Sequence, residues 1–386
     1  MGLGAIITGG ENFTVLEDIA SSVIEARVEM ELSKPTKFAI RFQDDICEGE
    51  PVVAGHDALQ AEQMIGIFVS AGEALHCLVH GPITRVRSSR MLGGFGSWYE
   101  IHGEDRRVLL SRVGVEASWP MKASHAAAGI LDSYHFDYEV QETRKNYDEQ
   151  HPLNQRATDL AFLEDIARRN AMEFWIDYHI APQPPSATTI DCGPMLMLKT
   201  SPHVDNGAAA VPGPPVLMLN GNYAINVSPP PDQCAKVTKF DVRIDFERPN
   251  SAQGFAQSRS GETVDNQGGS EQAATTPGSQ TLPEISGVVR RTIVDPTPDP
   301  DEHYLAQQAM LTEAAWFVEV DCSSTLEMLD FVVKPHMIVA VQYADSRLSG
   351  NYQVKSATHV INATDHFMDF KLRANGLPAP PAGSPL

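Results

Sequence analysis

The sequence is poor in cysteine, in aromatic residues and in long hydrophobic runs. Its five cysteines are scattered along 386 residues, without the spacing of a disulfide framework or a metal site. Aromatic residues make up 7% and are not interleaved with basic residues, so no stacking platform for single-stranded nucleic acid is predicted. No apolar run is long enough to span a bilayer, so no membrane insertion is predicted. The cysteines are Cys47, Cys77, Cys192, Cys234 and Cys322.

Basic residues are also scarce relative to acidic ones. Lys and Arg total 29 against 50 Asp and Glu, which gives a net charge of -21 and a pI near 4.9. Such a charge repels phosphate backbones and anionic lipid, so no direct nucleic-acid partner is predicted. The start, MGLGAIITGGENF, lacks the basic segment of a signal peptide. We therefore expect synthesis in a reducing bacterial cytoplasm without such a peptide.

Residues 1–118 have the pattern of antiparallel β-structure. VIEARVEMEL alternates apolar and charged residues, which predicts a half-buried strand, and KFAIRF repeats the pattern. QMIGIFVSAGEALHCLVHG predicts a hairpin that turns near Ala71 and Gly72. The inward positions of the first two strands are predicted to be Ile24, Ala26, Val28, Met30, Leu32, Phe38, Ile40 and Phe42.

Residues 119–200 combine helical and strand patterns, which predicts a small α/β insert. KASHAAAGILDSY is typical of a helix, whereas HFDYEV and MEFWIDY are typical of strands. A second helix is predicted over 159–169, with Thr158 as its N-cap and with Asn170 ending it in the left-handed conformation. Its buried stripe is predicted to consist of Leu160, Phe162, Leu163, Ile166 and Ala167.

The period of two returns in a second β region, predicted over 201–247 and 286–376. AKVTKFDVRIDFE predicts a strand, and DEHYLAQQAMLTEAA predicts a helix that four more strands follow. The composition of residues 248–285 predicts a low-complexity mobile excursion without packed structure. It is either a disordered surface loop or a segment that orders on a neighbouring subunit. Residues 377–386 are predicted to be a flexible tail. The inward positions of the first strand are predicted to be Phe240, Val242, Ile244 and Phe246.

The polar residues do not predict a catalytic or metal site. Glu164 and Asp165 lie beside the buried stripe, where solvent-exposed helix residues belong, so a glycosidase-like carboxylate pair is not favoured. No HExxH, CxxC, P-loop or nucleophile-elbow pattern is present. The sequence therefore predicts no catalytic residue, no cofactor and no metal. The other polar residues that could in principle serve such a site, and for which the same conclusion holds, are Asp159, Glu173, Cys77, His76, His80 and His102.

The segment NQRATDLAFLEDIARRNAMEFWIDY resembles one shared by phage late control D proteins, VgrG-like proteins and central hub proteins of contractile tails. LVHGPITRV with SWYEIHGEDRRVLLSR, VTKFDVRIDFE, and LSGNYQVKSATHVI with FMDFKLRAN resemble further blocks of that family, in the same order. Ala171 departs from the pattern, because the family commonly has Gly there. The residues that match are Thr158, Asp159, Phe162, Leu163, Ile166, Ala167, Phe174, Gly350, Tyr352, Val354, His359 and Arg373.

The resemblance implies a mainly β fold with an α+β insert. Each chain would have two related antiparallel β-barrel domains, 1–118 and 201–247 with 286–376, plus the α/β domain 119–200. Three chains would form a ring with pseudo-sixfold symmetry. A three-fold assembly can match a six-fold partner when each chain presents a similar face twice.

The implied function is that of a structural baseplate hub in a contractile injection system or contractile phage tail. The homotrimer would join the hexameric inner tube to the trimeric spike and contact other baseplate subunits, resident in the assembled particle. Because the sequence ends at GLPAPPAGSPL, without the β-helical spike of full VgrG-like proteins, a separate spike protein is expected. Two alternatives remain open: a hub that also hydrolyses peptidoglycan, and a secreted carbohydrate-binding β protein.

Overall fold

The computed structural model describes residues 4–45, 53–72, 74–91, 95–181, 188–200, 216–218, 236–257, 263–269, 279–294, 300–342 and 347–378. These residues form a mainly β chain with three large hydrophobic cores, one each in a first β region, an insert and a second β region, and a fourth, smaller cluster between the first β region and the insert. No helix in these ranges is both long enough and apolar enough to cross a bilayer.

The first β region is an antiparallel arrangement in which alternate apolar side chains face one core. Phe38, Ile40 and Phe42 are buried as predicted, and the predicted hairpin turns at Gly72, whose φ of 57° suits glycine. The elements are β1 (Ala5–Gly9), β2 (Thr14–Val15), α1 (Glu17–Ala20), β3 (Val23–Glu31), β4 (Lys34–Gln43), a 3-10 turn (Asp57–Leu59), β5 (Met64–Ala71), β6 (Ala74–Ser89) and β7 (Trp98–Glu104).

The insert packs two helices against a small sheet. The helix predicted over 159–169 is confirmed, and the whole predicted stripe is buried. The elements are a 3-10 helix (Arg106–Ser111), β8 (Gly114–Trp119), α2 (Ala123–Ser133), β9 (Asp137–Val140), β10 (Leu153–Thr158), α3 (Asp159–Arg169), β11 (Glu173–Ile180) and β12 (Cys192–Lys199). Because β8 pairs with β10, the insert begins before the predicted boundary at Trp119.

The second β region has its own core around β19 to β22. Its elements are β13 (Val216–Met218), β14 (Lys239–Ile244), β15 (Ser251–Gln257), β16 (Thr263–Gly269), β17 (Ser279–Gln280), α4 (Leu282–Ser286), β18 (Arg291–Ile293), α5 (Pro300–Ala314), β19 (Val318–Thr325), α6 (Leu326–Leu329), β20 (Ile338–Gln342), β21 (Gly350–Asn362), β22 (His366–Ala374) and β23 (Leu377–Pro378).

One continuous sheet connects the two β regions. Its strands follow the order β14-β19-β22-β21-β3-β4-β7-β6-β5-β1-β2, and β20 and β13 extend it beside β21. The connection is the antiparallel pairing of β21 with β3, from Ser356 opposite Glu31 to Asn362 opposite Glu25. Since backbone hydrogen bonds cross this seam, the two β regions are held in a fixed relation.

Two inward positions predicted from strand alternation are wrong. Ile24 is 45% exposed, because the pairing of β3 with β4 shifts register between Val23 and Glu25 and Val23 takes the buried position. Phe246 is 39% exposed, because β14 ends at Ile244. Strict alternation holds only while the ladder is regular.

The predicted absence of packed structure in 248–285 is also wrong for the part that the structure describes. β15 and β16 form an antiparallel hairpin, β18 pairs with β15, and Ala252 is buried. A segment rich in small and polar residues can still form strands, because strand pairing uses backbone hydrogen bonds and not side chains. Residues 258–262 and 270–278 of this segment lie outside the described residues.

The predicted tail begins too early. Leu377 is 4% exposed and belongs to the core of the second β region, and β23 pairs with β17. The side chain of Leu377 packs into this core. The proline-rich composition of the last ten residues had predicted that the whole segment is free. Residues 379–386 lie outside the described residues.

Helix α3 ends differently from the prediction. The left-handed residue is Ala171, with φ of 52°, whereas Asn170 has φ of -105° and its side-chain Nδ2 donates to the carbonyl of Ile166 at 2.8 Å. The amide of Met172 then donates to the carbonyl of Ala167 at 2.8 Å, the closing bond of a Schellman turn. The chain therefore places alanine where glycine is favoured.

Replacing Ala171 with glycine is expected to stabilise the chain by ~1 kcal/mol, because the left-handed conformation penalises a Cβ atom. Urea unfolding of the two proteins would measure the difference. Asn170→Gly is the matched control: that residue is not left-handed and its side chain caps the helix, so this variant should be destabilised. A destabilised Ala171→Gly protein would contradict the assignment.

Candidate functional site at the junction of three regions

The most densely bonded buried charge lies where the insert meets the first β region. Arg107 is 2% exposed, and its guanidinium forms an ion pair with Asp105 at 2.7 Å. It also donates to the carbonyl of Phe174 in β11 at 2.7 Å and to that of Lys34 at 2.6 Å. Asp105 in turn accepts from the amide of Thr36 at 2.6 Å. One arginine thus joins the 3-10 helix, β11 and the start of β4.

A second buried ion pair joins the insert to the second β region. Glu173, the first residue of β11, accepts from Arg373 of β22 at 2.6 Å. Arg373 also donates to Gln353 at 2.7 Å, and its guanidinium lies 4.2 Å from the ring centre of Trp316. Burial opposes the charge of Glu173, but His336 and Arg373 outweigh burial and lower the pKa of Glu173 to about 2.

His336 completes this contact from the loop before β20. Its Nδ1 lies 3.0 Å from Glu173 Oε2, but off the direction of a linear hydrogen bond. Its ring stacks on Trp175 of β11 at 4.0 Å between ring centres. Burial lowers the pKa of His336 despite the neighbouring carboxylate. The contact therefore combines charge with stacking and fixes one face of β11.

A cavity of about 290 Å³ lies between these two ion-paired contacts; we call it the junction cavity. Its walls come from all three regions. The residues that line it include Cys77, Arg107, Trp175, Tyr178, Lys334 and His336.

The matching residues of the segment NQRATDLAFLEDIARRNAMEFWIDY have structural roles in the insert. Thr158 accepts from the amide of Ala161 at 3.3 Å and so caps α3. Asp159 is 7% exposed and accepts from Gln155 at 2.6 Å and Tyr134 at 2.8 Å. The remaining residues of the block lie in the core of the insert: Phe162, Leu163, Ile166, Ala167 and Phe174.

The matching residues of LSGNYQVKSATHVI and FMDFKLRAN lie in β21 and β22. Gly350 has φ of 153°, outside the range that other residues favour. Tyr352 is buried and its hydroxyl donates to the carbonyl of Leu348 at 2.9 Å, while Val354 is fully buried. Arg373 is the member that reaches the junction. The structure thus places one fingerprint at the insert core and another along the seam strand.

His359 forms a buried histidine pair with His366. His359 Nε2 lies 2.9 Å from the carbonyl of Val333, and its Nδ1 lies 2.8 Å from His366 Nε2. This network assigns the Nε2–H tautomer to both rings. Burial lowers the pKa of His359 to about 3 and that of His366 to about 4. Both rings are therefore neutral at pH 7.

Acid is expected to destabilise the chain through this pair. An unfolded histidine takes a proton below pH ~6.5, whereas the folded pair stays neutral to about pH 4, so stability is complete above pH 6.5 and falls between pH 6.5 and 4. His366→Gln keeps a donor but removes one titrating group, and should make the fall shallower by ~1 kcal/mol per pH unit.

Urea unfolding from pH 7 to pH 4 measures this effect. The exposed His179 supplies the control, because His179→Gln should leave the slope unchanged. Equal slopes for wild type and His366→Gln would contradict the neutral buried pair.

The carboxylates considered for hydrolysis are engaged separately. Asp165 forms ion pairs with Arg168 and Arg169 of its own helix, and Glu173 is bound by Arg373. Burial raises the pKa of Glu164. The histidines are likewise separate: the ring of His80 lies 4.1 Å from that of Phe13 in a tilted contact, and His102 bonds Glu100 at 2.7 Å. Within the described ranges, no three His, Cys, Asp or Glu side chains are grouped as a metal site.

A close crossing of β6 and β7 explains the glycines in the quoted segments LVHGPITRV and SWYEIHGEDRRVLLSR. A Cβ atom on Gly81 would lie 1.9 Å from the carbonyl oxygen of Glu104. A Cβ atom on Gly103 would lie 2.2 Å from Phe38 and 2.3 Å from the carbonyl oxygen of Pro82. Only glycine permits this approach. No local pattern in the sequence indicated the roles of these glycines, of Arg107 or of His336, although Gly81, Gly103 and Arg107 lie within the quoted segments.

Comparison with known proteins identifies the fold. No protein-family model and no curated protein matches the chain. The structure is similar to a tail protein from Neisseria meningitidis MC58, with a TM-score of 0.60, 12% identity and 97% of each chain covered. It is similar to the 43 kDa tail protein of prophage MuSo2 from Shewanella oneidensis, with a TM-score of 0.61, 9% identity, and 95% of this chain and 97% of that chain covered.

A third similar structure is the E. coli c3393 protein, a component of the type VI secretion system with structural similarity to the T4 bacteriophage tail proteins gp27 and gp5. The TM-score is 0.50 at 13% identity, with 94% of this chain and 77% of that chain covered. At these identities the similarity establishes the fold: the chain has the mainly β fold of these tail proteins over nearly its whole length.

Proposed function

We propose that the chain is the structural baseplate hub of a contractile tail or contractile injection system. A homotrimer joins a hexameric inner tube to a trimeric spike and contacts other baseplate subunits. The first and second β regions act as two related barrels that alternate around a pseudo-sixfold ring. The observation that carries the proposal is the fold shared with tail proteins along almost the entire chain.

The rigid connection between the β regions supports this role. An adaptor that matches a six-fold tube with three chains needs two similar faces held at a fixed angle. The seam of β21 with β3 supplies backbone bonds between the regions. The contacts of Arg107 and of Glu173 with Arg373 add the insert as a brace.

The charge and the engaged carboxylates support a structural role over the alternatives. A net charge of -21 repels DNA, which suits a wall around a passage that must not retain it. Asp165 and Glu173 are paired with cations instead of facing one another across a cleft.

Incubation of purified cell wall with the wild-type protein, or with Glu164→Gln, is expected to release no fragments.

Co-expression with a tube protein and a spike protein from the same particle tests the proposal. We expect a complex in which this chain has three times its 42.1 kDa mass, by light scattering after size exclusion. Arg168→Met, at an exposed position of the insert, is the control that should assemble normally. A monomer that binds neither protein would overturn the proposal.

A further inference from the structure

Two cysteine thiols meet at the boundary between the first β region and the insert. Cys77 lies in β6 and is fully buried, and Cys192 begins β12 and is 8% exposed. Both are free thiols, and they lie close enough for each to shift the pKa of the other. The Sγ of Cys77 also lies 3.5 Å from the carbonyl oxygen of Val79. The thiols share one small apolar cluster with Phe13, Phe68 and Ile190.

The two thiols differ in acidity. Burial raises the pKa of Cys77 well above its usual range. The adjacent Cys77 side chain lowers the pKa of Cys192, and the charge of Lys334 lowers it further. Cys192 is therefore the sulfur that becomes a thiolate first, while Cys77 keeps its proton. A thiolate beside a thiol is the arrangement that disulfide formation requires.

A small oxidant can approach the pair through the junction cavity of about 290 Å³, which has Cys77, Tyr178 and Lys334 in its wall. The ammonium of Lys334 comes from the second β region, so the pair is surrounded by all three regions. This positive charge favours the anionic sulfur during attack.

We propose that Cys77 and Cys192 are an oxidisable dithiol whose disulfide joins the insert covalently to the first β region. With a peroxide, the Cys192 thiolate attacks one oxygen, the O–O bond breaks and hydroxide leaves, which makes Cys192 a sulfenic acid. Cys77 sulfur then attacks Cys192 sulfur, loses its proton and displaces water. Overall, two thiols and one hydrogen peroxide give one disulfide and two waters, and peroxide accepts the two electrons.

The disulfide would act on a particle that has left the reducing cytoplasm. It closes a loop of more than ~100 residues and so restricts the unfolded chain strongly. Because both side chains already pack in one buried cluster, little movement of β6 or β12 is needed. The hub would then be assembled with free thiols and become more stable outside the cell.

Mass spectrometry of the purified full chain tests the proposal. The chain is reduced, treated with hydrogen peroxide, alkylated and digested, and a peptide that links Cys77 to Cys192 is expected. The melting temperature should rise by ~5 °C on oxidation and return with dithiothreitol. Cys192→Ser should lose both the linked peptide and the shift, whereas Cys322→Ser, which removes a buried thiol elsewhere, should keep both.

The wild-type digest decides the result even if a variant folds poorly. A peroxide-treated wild-type chain in which Cys77 and Cys192 are both alkylated, or are oxidised to acids without a link, would overturn the proposal. So would a linked peptide in which either sulfur is joined to Cys322.

Discussion

Gly81→Ala is expected to destabilise the chain by more than ~4 kcal/mol or to prevent its folding. The added methyl group would lie 1.9 Å from the carbonyl oxygen of Glu104 and 2.7 Å from the Cα of Asp105. These are backbone atoms of β7 and its exit, so no side-chain rotation relieves the clash. The strands must separate, which also displaces Asp105, the ion-pair partner of Arg107.

Gly129→Ala is the matched control for this substitution. Gly129 lies inside α2, and its added Cβ would meet only the Trp119 ring, at 4.0 Å. Because alanine favours a helix interior, this variant should be stabilised by ~1 kcal/mol. Soluble yield and urea unfolding report both effects. A Gly81→Ala chain as stable as wild type would show that β6 and β7 do not cross as closely as described.

Arg107→Met is expected to cost about 3–5 kcal/mol, because it leaves the Asp105 charge buried without a partner. The carbonyl oxygens of Phe174 and Lys34 also lose their donor. Methionine preserves much of the side-chain volume, so the loss reflects charge and hydrogen bonding and not an empty space. Urea unfolding measures the cost.

Arg168→Met provides the comparison for Arg107→Met. Arg168 is 77% exposed and pairs with Asp165 on the helix surface, where an ion pair contributes ~0.5 kcal/mol or less. Limited proteolysis should cut the insert of Arg107→Met faster than that of Arg168→Met. Equal stability of the two variants would contradict the assignment of Arg107 as the brace of the junction.

Local patterns in the sequence predicted local structure well. Helix α3 follows from the spacing of Leu160, Leu163 and Ala167 together with the cap at Thr158, because both signals lie within a few residues. The alternation of Phe38, Ile40 and Phe42 predicted a strand for the same reason. The resemblance of several segments to hub proteins then predicted the larger arrangement, a mainly β chain with an α+β insert.

Contacts between distant segments could not be predicted in this way. Gly81 and Glu104 meet because two strands cross, and nothing near either residue signals the approach. The ion pair of Arg373 with Glu173 joins two regions that are far apart in the sequence, so neither residue could be predicted to be the partner of the other. The bulge that exposes Ile24 and the left-handed Ala171 likewise depend on how neighbouring segments fit.

Cryo-electron microscopy of the assembled particle would show directly whether this chain is a trimeric hub. We expect three copies of the chain in one ring on the particle axis, between the inner tube and the spike. The first and second β regions should alternate around that ring, with the seam of β21 and β3 inside each chain. A single copy placed away from the axis, or a ring that contacts neither tube nor spike, would show that the chain is not the hub.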